Sequence, residues 1–122
     1  MTIYVDTPLK KPQKEMLMSR APGDNFIFKD ELPGEDQQLN ALLKADILLG
    51  NPRPVEWLQR AVNLKWVQLY STGFEYYHSV KIPAVITNIQ DYYSQPCAET
   101  MIAGIMALYR KINTFSLLQA RK

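Results

Sequence analysis

The polar residues best placed to do chemistry stand where β-rich runs end: Asp6, Asp30, Gly50-Asn51, Ser71-Thr72-Gly73 and Thr87-Asn88. The Ser-Thr-Gly run offers the most. Gly73 lets a ligand approach the backbone closely, and the amides of Thr72 and Gly73 would face an anion where the next helix starts. The same three residues also read simply as a tight turn. Asn88 can donate and accept hydrogen bonds at the end of a core strand, or it can close a local Asn turn. Asp6 and Asp30 would make paired carboxylates if brought together, although capping or turn formation accounts for each one separately.

Other chemistries are excluded or weakly supported. His78 is the sole histidine, which rules out a histidine-based metal cluster; beside Tyr76 and Tyr77 it reads as an exposed or partly packed side chain. Cys97 lies near a helix start, where a thiolate would be stabilised, but no histidine is near it in sequence. It reads as a small buried cysteine. A single cysteine forms no intramolecular disulfide and fits a reducing cytoplasm. The 14 basic and 12 acidic residues are interspersed, so no basic stripe points to nucleic acid. The N-terminus has no signal-peptide pattern, and the longest apolar stretch, near 97–108, is too short for a bilayer. The expected partners therefore include neither nucleic acid nor membrane.

Alternating strand-like and helix-like segments must position these residues. Strands are predicted at 3–5, 26–28, 46–49, 66–70 and 84–87. Helices are predicted from Pro12 to about Ala21, over 35–45, from Pro54 with Val55, Leu58, Ala61 and Val62 buried, over 74–80, and from Pro96 to about Ile112 with a resumption through Leu118. Such alternation requires crossovers and hence a parallel sheet with both faces covered. Apolar runs at 47–49 and 84–86 agree. The expected fold is α/β, a flavodoxin-like doubly wound parallel sheet of five strands with a long C-terminal helix. In that fold ligands bind outside the carboxyl ends of the strands.

The ordered runs Ala45-Asp46-Ile47-Leu48-Leu49, Leu64 to Gly73, Val85-Ile86-Thr87-Asn88 and Ala98-Glu99 resemble the N-terminal part of D-isomer-specific 2-hydroxyacid dehydrogenases. Glu75 falls where the family has an acidic residue or Asn two positions after the glycine, and Arg110 and Gln119 fall at common family positions. The match spans about 75 residues; Asp91 replaces the glycine usual three residues after the Asn. The resemblance implies a substrate-binding domain over 1–95 and, over 96–122, a helix leading into a cofactor domain absent from this chain. It implies Thr72 and Gly73 amides for a substrate carboxylate, with Asn88 nearby, and a small 2-hydroxy or 2-keto acid as a weakly held ligand.

NAD or NADP is implied for a full-length relative. This chain has no G-x-G-x-x-G, its five glycines stand alone, and the family's catalytic Arg, Glu and His have no counterpart; His78 is not in the catalytic position. The expectation is a truncated oxidoreductase portion, inactive alone and with no cofactor of its own. The alternative is a stand-alone ligand-binding or interaction module on the same fold. A receiver-like signalling domain is disfavoured, because the third strand ends in Gly50-Asn51 rather than Asp. Between Cys97 and Ile112 only Glu99, Arg110 and Lys111 are charged, so the helix from Pro96 is expected to form a homodimer interface.

Overall fold

Short β-rich triplets pair side by side in the computed structural model, which describes residues 1–121. The strands are β1 (Thr2–Val5), β2 (Asn25–Phe28), β3 (Ile47–Leu49), β4 (Trp66–Gln68) and β5 (Val85–Thr87). All pair in parallel, in the order β2-β1-β3-β4-β5. That is the flavodoxin-like order, with the winding reversing between β1 and β3. The connections carry α1 (Lys11–Arg20), α2 (Glu35–Leu43), α3 (Trp57–Arg60) and α4 (Glu75–His78). The fold is α/β with a five-stranded all-parallel sheet.

The two-residue period of a strand sends neighbouring side chains to opposite faces. Tyr4, Leu48 and Val67 pack with Leu42 of α2, Leu58 of α3 and Tyr77 of α4. Ile3, Val5, Phe28 and Ile47 face the other way and pack with Leu17 of α1. Each fully buried leucine contributes about 1.5–3 kcal/mol. At the amino edge of the sheet, the Asp46 carboxylate accepts from Thr2 N at 2.8 Å and Lys65 Nζ at 2.7 Å. The Lys65 bond, followed by the Thr2 amide, holds the Asp46 carboxyl below its ordinary pKa.

Some expectations change. The helix from Pro54 shrinks to one turn, because the backbone leaves the helical region at Ala61; Leu58 and Ala61 stay buried, but Val62 is 74% exposed. Within Met1–Ile89, α1 packs on side chains of β1, β2 and β3. The helix expected from Pro96 begins at Ser94, which leaves the proline in the first turn, where no N–H is required.

The chain divides into two compact units, Met1–Ile89 and a second beginning at Gln90. The second comprises a 3-10 turn (Gln90–Tyr93), α5 (Ser94–Tyr109) and α6 (Ile112–Gln119). Lys111, at φ 52°, breaks the helical path before Ile112 and so separates α5 from α6. Neither helix buries a residue. Cys97 is consequently exposed, not the small buried cysteine expected. No helix among the described residues is long and apolar enough to cross a membrane.

Candidate functional site

β3, β4 and β5 are in register through Leu49, Gln68 and Thr87, so the residues that follow them emerge at one carboxyl edge. There Asn51 and Asn88 hold the Ser71-Thr72-Gly73 turn from its two sides. Tyr70 N donates to Asn51 Oδ1 at 3.0 Å, and Asn51 Nδ2 donates to Ser71 Oγ at 2.7 Å. Ser71 Oγ in turn donates to the Gly73 carbonyl at 2.8 Å. From the β5 side, Asn88 Nδ2 donates to the Thr72 carbonyl at 2.6 Å. Each such bond contributes about 1 kcal/mol. Thr72, Gly73 and Asn88 are therefore brought together, with the asparagine bonded to the turn.

Asn51 does more than its residue type and position suggest, bonding both Tyr70 N and Ser71 Oγ. Its type and its place after a strand were visible, but pairing across two strand ends depends on strand order. The same is true of Glu75. A Cβ on Gly73 would stand 2.8 Å from Glu75 Oε2, so that carboxylate folds back over the glycine. Gly73 does not adopt a positive φ. Its lack of a side chain leaves room for the carboxylate rather than permitting a left-handed turn. A ligand anion approaching Gly73 meets this like charge first. The four-residue α4 adds little dipole of its own.

The edge beside β1 is built differently. Gly50 has φ 129°, and a Cβ there would stand 2.9 Å from Asp6 Cβ and Thr7 Oγ1 and 3.0 Å from Thr7 N. Asp6 Oδ1 pairs with Lys29 Nζ at 2.6 Å, and Asp30 pairs with Lys14 at 2.7 Å. The two aspartates are thus each matched to a lysine, not to one another as an acid–base pair. A pocket of about 390 Å³ lined by Asp6, Lys29, Asp30 and Gln38 opens beside them. Deeper in, the Tyr4 hydroxyl is buried with no hydrogen-bond partner, and desolvation, with Asp6 secondary, raises its pKa.

Around α4, Tyr77 is buried while Tyr76 is exposed under the Arg53 guanidinium, 5.2 Å from its ring centre. Burial raises the Tyr77 pKa, with Arg53 opposing. His78 is exposed and stacks on Phe74 at 6.3 Å. No group of three His, Cys, Asp or Glu side chains suited to a metal occurs among the described residues. A dinucleotide needs open glycine backbone for its pyrophosphate. At the strand ends, Gly50 is covered by Asp6 and Thr7, and Gly73 by Glu75. No protein-family model, curated protein or solved structure matches this chain.

Proposed function

We propose that the first unit binds the carboxylate of a small 2-hydroxy or 2-keto acid at the Ser71–Gly73 turn, as the resemblance to D-2-hydroxyacid dehydrogenases implies. The observation that carries this reading is the double clamp: Asn51 and Asn88 engage the turn through Ser71 Oγ and the Thr72 carbonyl. A turn fixed in this way presents backbone to a ligand without first being ordered, which lowers the entropy cost of binding. Binding is weak, because the site is exposed to water and Glu75 competes for it. Hydride transfer is not part of the proposal, since the chain carries no glycine-rich dinucleotide loop.

The test is a ligand-observed NMR titration with sodium lactate and sodium pyruvate, against sodium chloride at equal ionic strength. Saturable millimolar binding of the organic acids is expected, with Asn88→Ala weakening it about fivefold through the loss of one hydrogen bond. Glu75→Gln is expected to tighten it by removing the like charge. Identical behaviour with chloride, or no effect of either substitution, would refute the reading.

A second reading concerns the partner. Met101, Ile102, Ile105 and Leu108 of α5 are each more than 60% exposed. This supports self-association through α5 as a homodimer, because soluble monomers rarely leave so large an apolar patch open.

A further inference from the structure

The sheet register sets two opposite charges side by side at the carboxyl end of β1. β1 and β2 pair through Val5 and Phe28, so the next residues, Asp6 and Lys29, leave the sheet level with one another. Lys29 Nζ meets Asp6 Oδ1 at 2.6 Å, with the Asp6 side chain only 9% exposed and the Lys29 side chain 30%. An ion pair taken this far out of water is a poor source of stability, because desolvation offsets its attraction. Both residues line the pocket of about 390 Å³, which is within the size range of small-molecule sites. The rest of the lining is Pro8 after β1, Asp30 of the 3-10 turn Lys29–Glu31, Leu32 after that turn, and Gln38 of α2. All of these lie within Met1–Ile89, so the lining owes nothing to the helices of the second unit.

The polar groups of this lining are mixed in kind. Asp6 Oδ2 carries no bond among the described residues, and Lys29 has two N–H groups beyond the one directed at Asp6. Asp30 Oδ1 is engaged by Lys14, which is shared with Glu31, and this leaves Asp30 Oδ2. Gln38 Nε2 donates to the Leu32 carbonyl at 3.2 Å, which leaves its second N–H and its Oε1. Donors and acceptors therefore stand together, and the charges oppose one another. A ligand anion meets two carboxylates here, and a ligand cation meets Lys29. A hydroxyl group donates and accepts at one atom, so it can bond to every member of the set. Pro8 and Leu32 add apolar surface for C–H groups.

We infer that this pocket binds a neutral polyhydroxylated molecule, a monosaccharide or a cyclic polyol. Asp6 and Asp30 accept from its hydroxyls, and Lys29 and Gln38 donate to them. The site is distinct from the Ser71–Gly73 turn and does not depend on the reading given to that turn. Affinity is expected to be millimolar, because each bond formed replaces one made to water.

The experiment is a protein-observed NMR titration of the full chain with D-glucose, D-ribose and myo-inositol, set against sodium gluconate and glucosamine hydrochloride at equal ionic strength. Saturable shifts at the amides of Lys29, Asp30 and Gln38 with any of the three neutral compounds are the expected result. Binding of the sugars alone selects a monosaccharide, and binding of myo-inositol alone selects a cyclic polyol. The charged analogues are expected to bind at least tenfold more weakly. No saturable shift with the neutral compounds, shifts that bypass these residues, or equally tight binding of a charged analogue overturns the proposal. Two variants locate the site. Asp6→Asn combined with Lys29→Gln removes both charges together, so that neither is left unpaired, and is expected to weaken binding at least tenfold. Gln38→Leu is expected to weaken it about fivefold with circular dichroism unchanged. It decides the matter if the double variant loses its fold, and an affinity unchanged in Gln38→Leu overturns the site.

Discussion

The carboxyl edge of the sheet ends in two unlike places. Between β1 and β3, where the winding reverses, the chain closes on itself: Gly50 presses against Asp6 and Thr7, and Asp6 is matched to Lys29. One strand further along, the Ser71–Gly73 turn is held by two asparagines and stays accessible, with Thr72 and Gly73 exposed. The fold-level rule puts ligands at the reversal point. Here Gly50 is closed over by Asp6 and Thr7, a pocket of about 390 Å³ opens beside Asp6 and Lys29, and the exposed Ser71–Gly73 turn lies one strand away. Topology locates the edge, but the side chains decide which part of the edge stays open.

The largest effect that would break this comparison comes from its two glycines. Gly50→Ala places a methyl against Asp6 Cβ and Thr7 backbone at a positive φ, and is expected to cost about 3 kcal/mol of stability in urea unfolding. Gly73→Ala displaces only the flexible end of Glu75 and is expected to cost less than about 1 kcal/mol. Equal costs would mean that the two edges are packed alike. Next comes Tyr4→Phe. It removes a buried hydroxyl with no partner, so a gain of about 1 kcal/mol is expected in thermal unfolding. A loss of that size would show that the closed edge holds a water on that hydroxyl.

Asn51→Ala breaks the clamp from the β3 side and is expected to cost about 1 kcal/mol, while raising hydrogen exchange over residues 70–73 with little change at Asp6. The smallest effect comes from Asp46, at the opposite edge. Its folded carboxyl titrates below the ordinary 3.8, so its contribution is present above that value and is lost as pH falls through the depressed one. Asp46→Asn should therefore lower the urea midpoint near neutral pH and converge with the natural protein in acid. A constant gap across the whole pH range would assign the effect to something other than its charge.

The alternation of elements was legible because each strand and each crossover helix carries its own period. The parallel sheet followed from it, as did the placing of Thr72, Gly73 and Asn88 at the carboxyl ends of strands. Periodicity reports which side of a strand is apolar, not whether anything covers it. Cys97 reads as buried from its residue type alone, yet it is exposed. The clamp from Asn51 and the carboxylate over Gly73 depend on side-chain directions around a turn, which no local pattern encodes. The same holds for the closure at Gly50, whose contacts come from residues more than forty positions earlier in the chain.

A protein-observed NMR titration with sodium pyruvate tests the central claim most directly, because it reads both edges at once. The amides of Ser71, Thr72, Gly73 and Asn88 are expected to shift along one saturable curve, while those of Asp6, Thr7 and Gly50 stay in place. Shifts confined to Asp6, Thr7 and Gly50, with the turn unmoved, would contradict it and return the site to the reversal point.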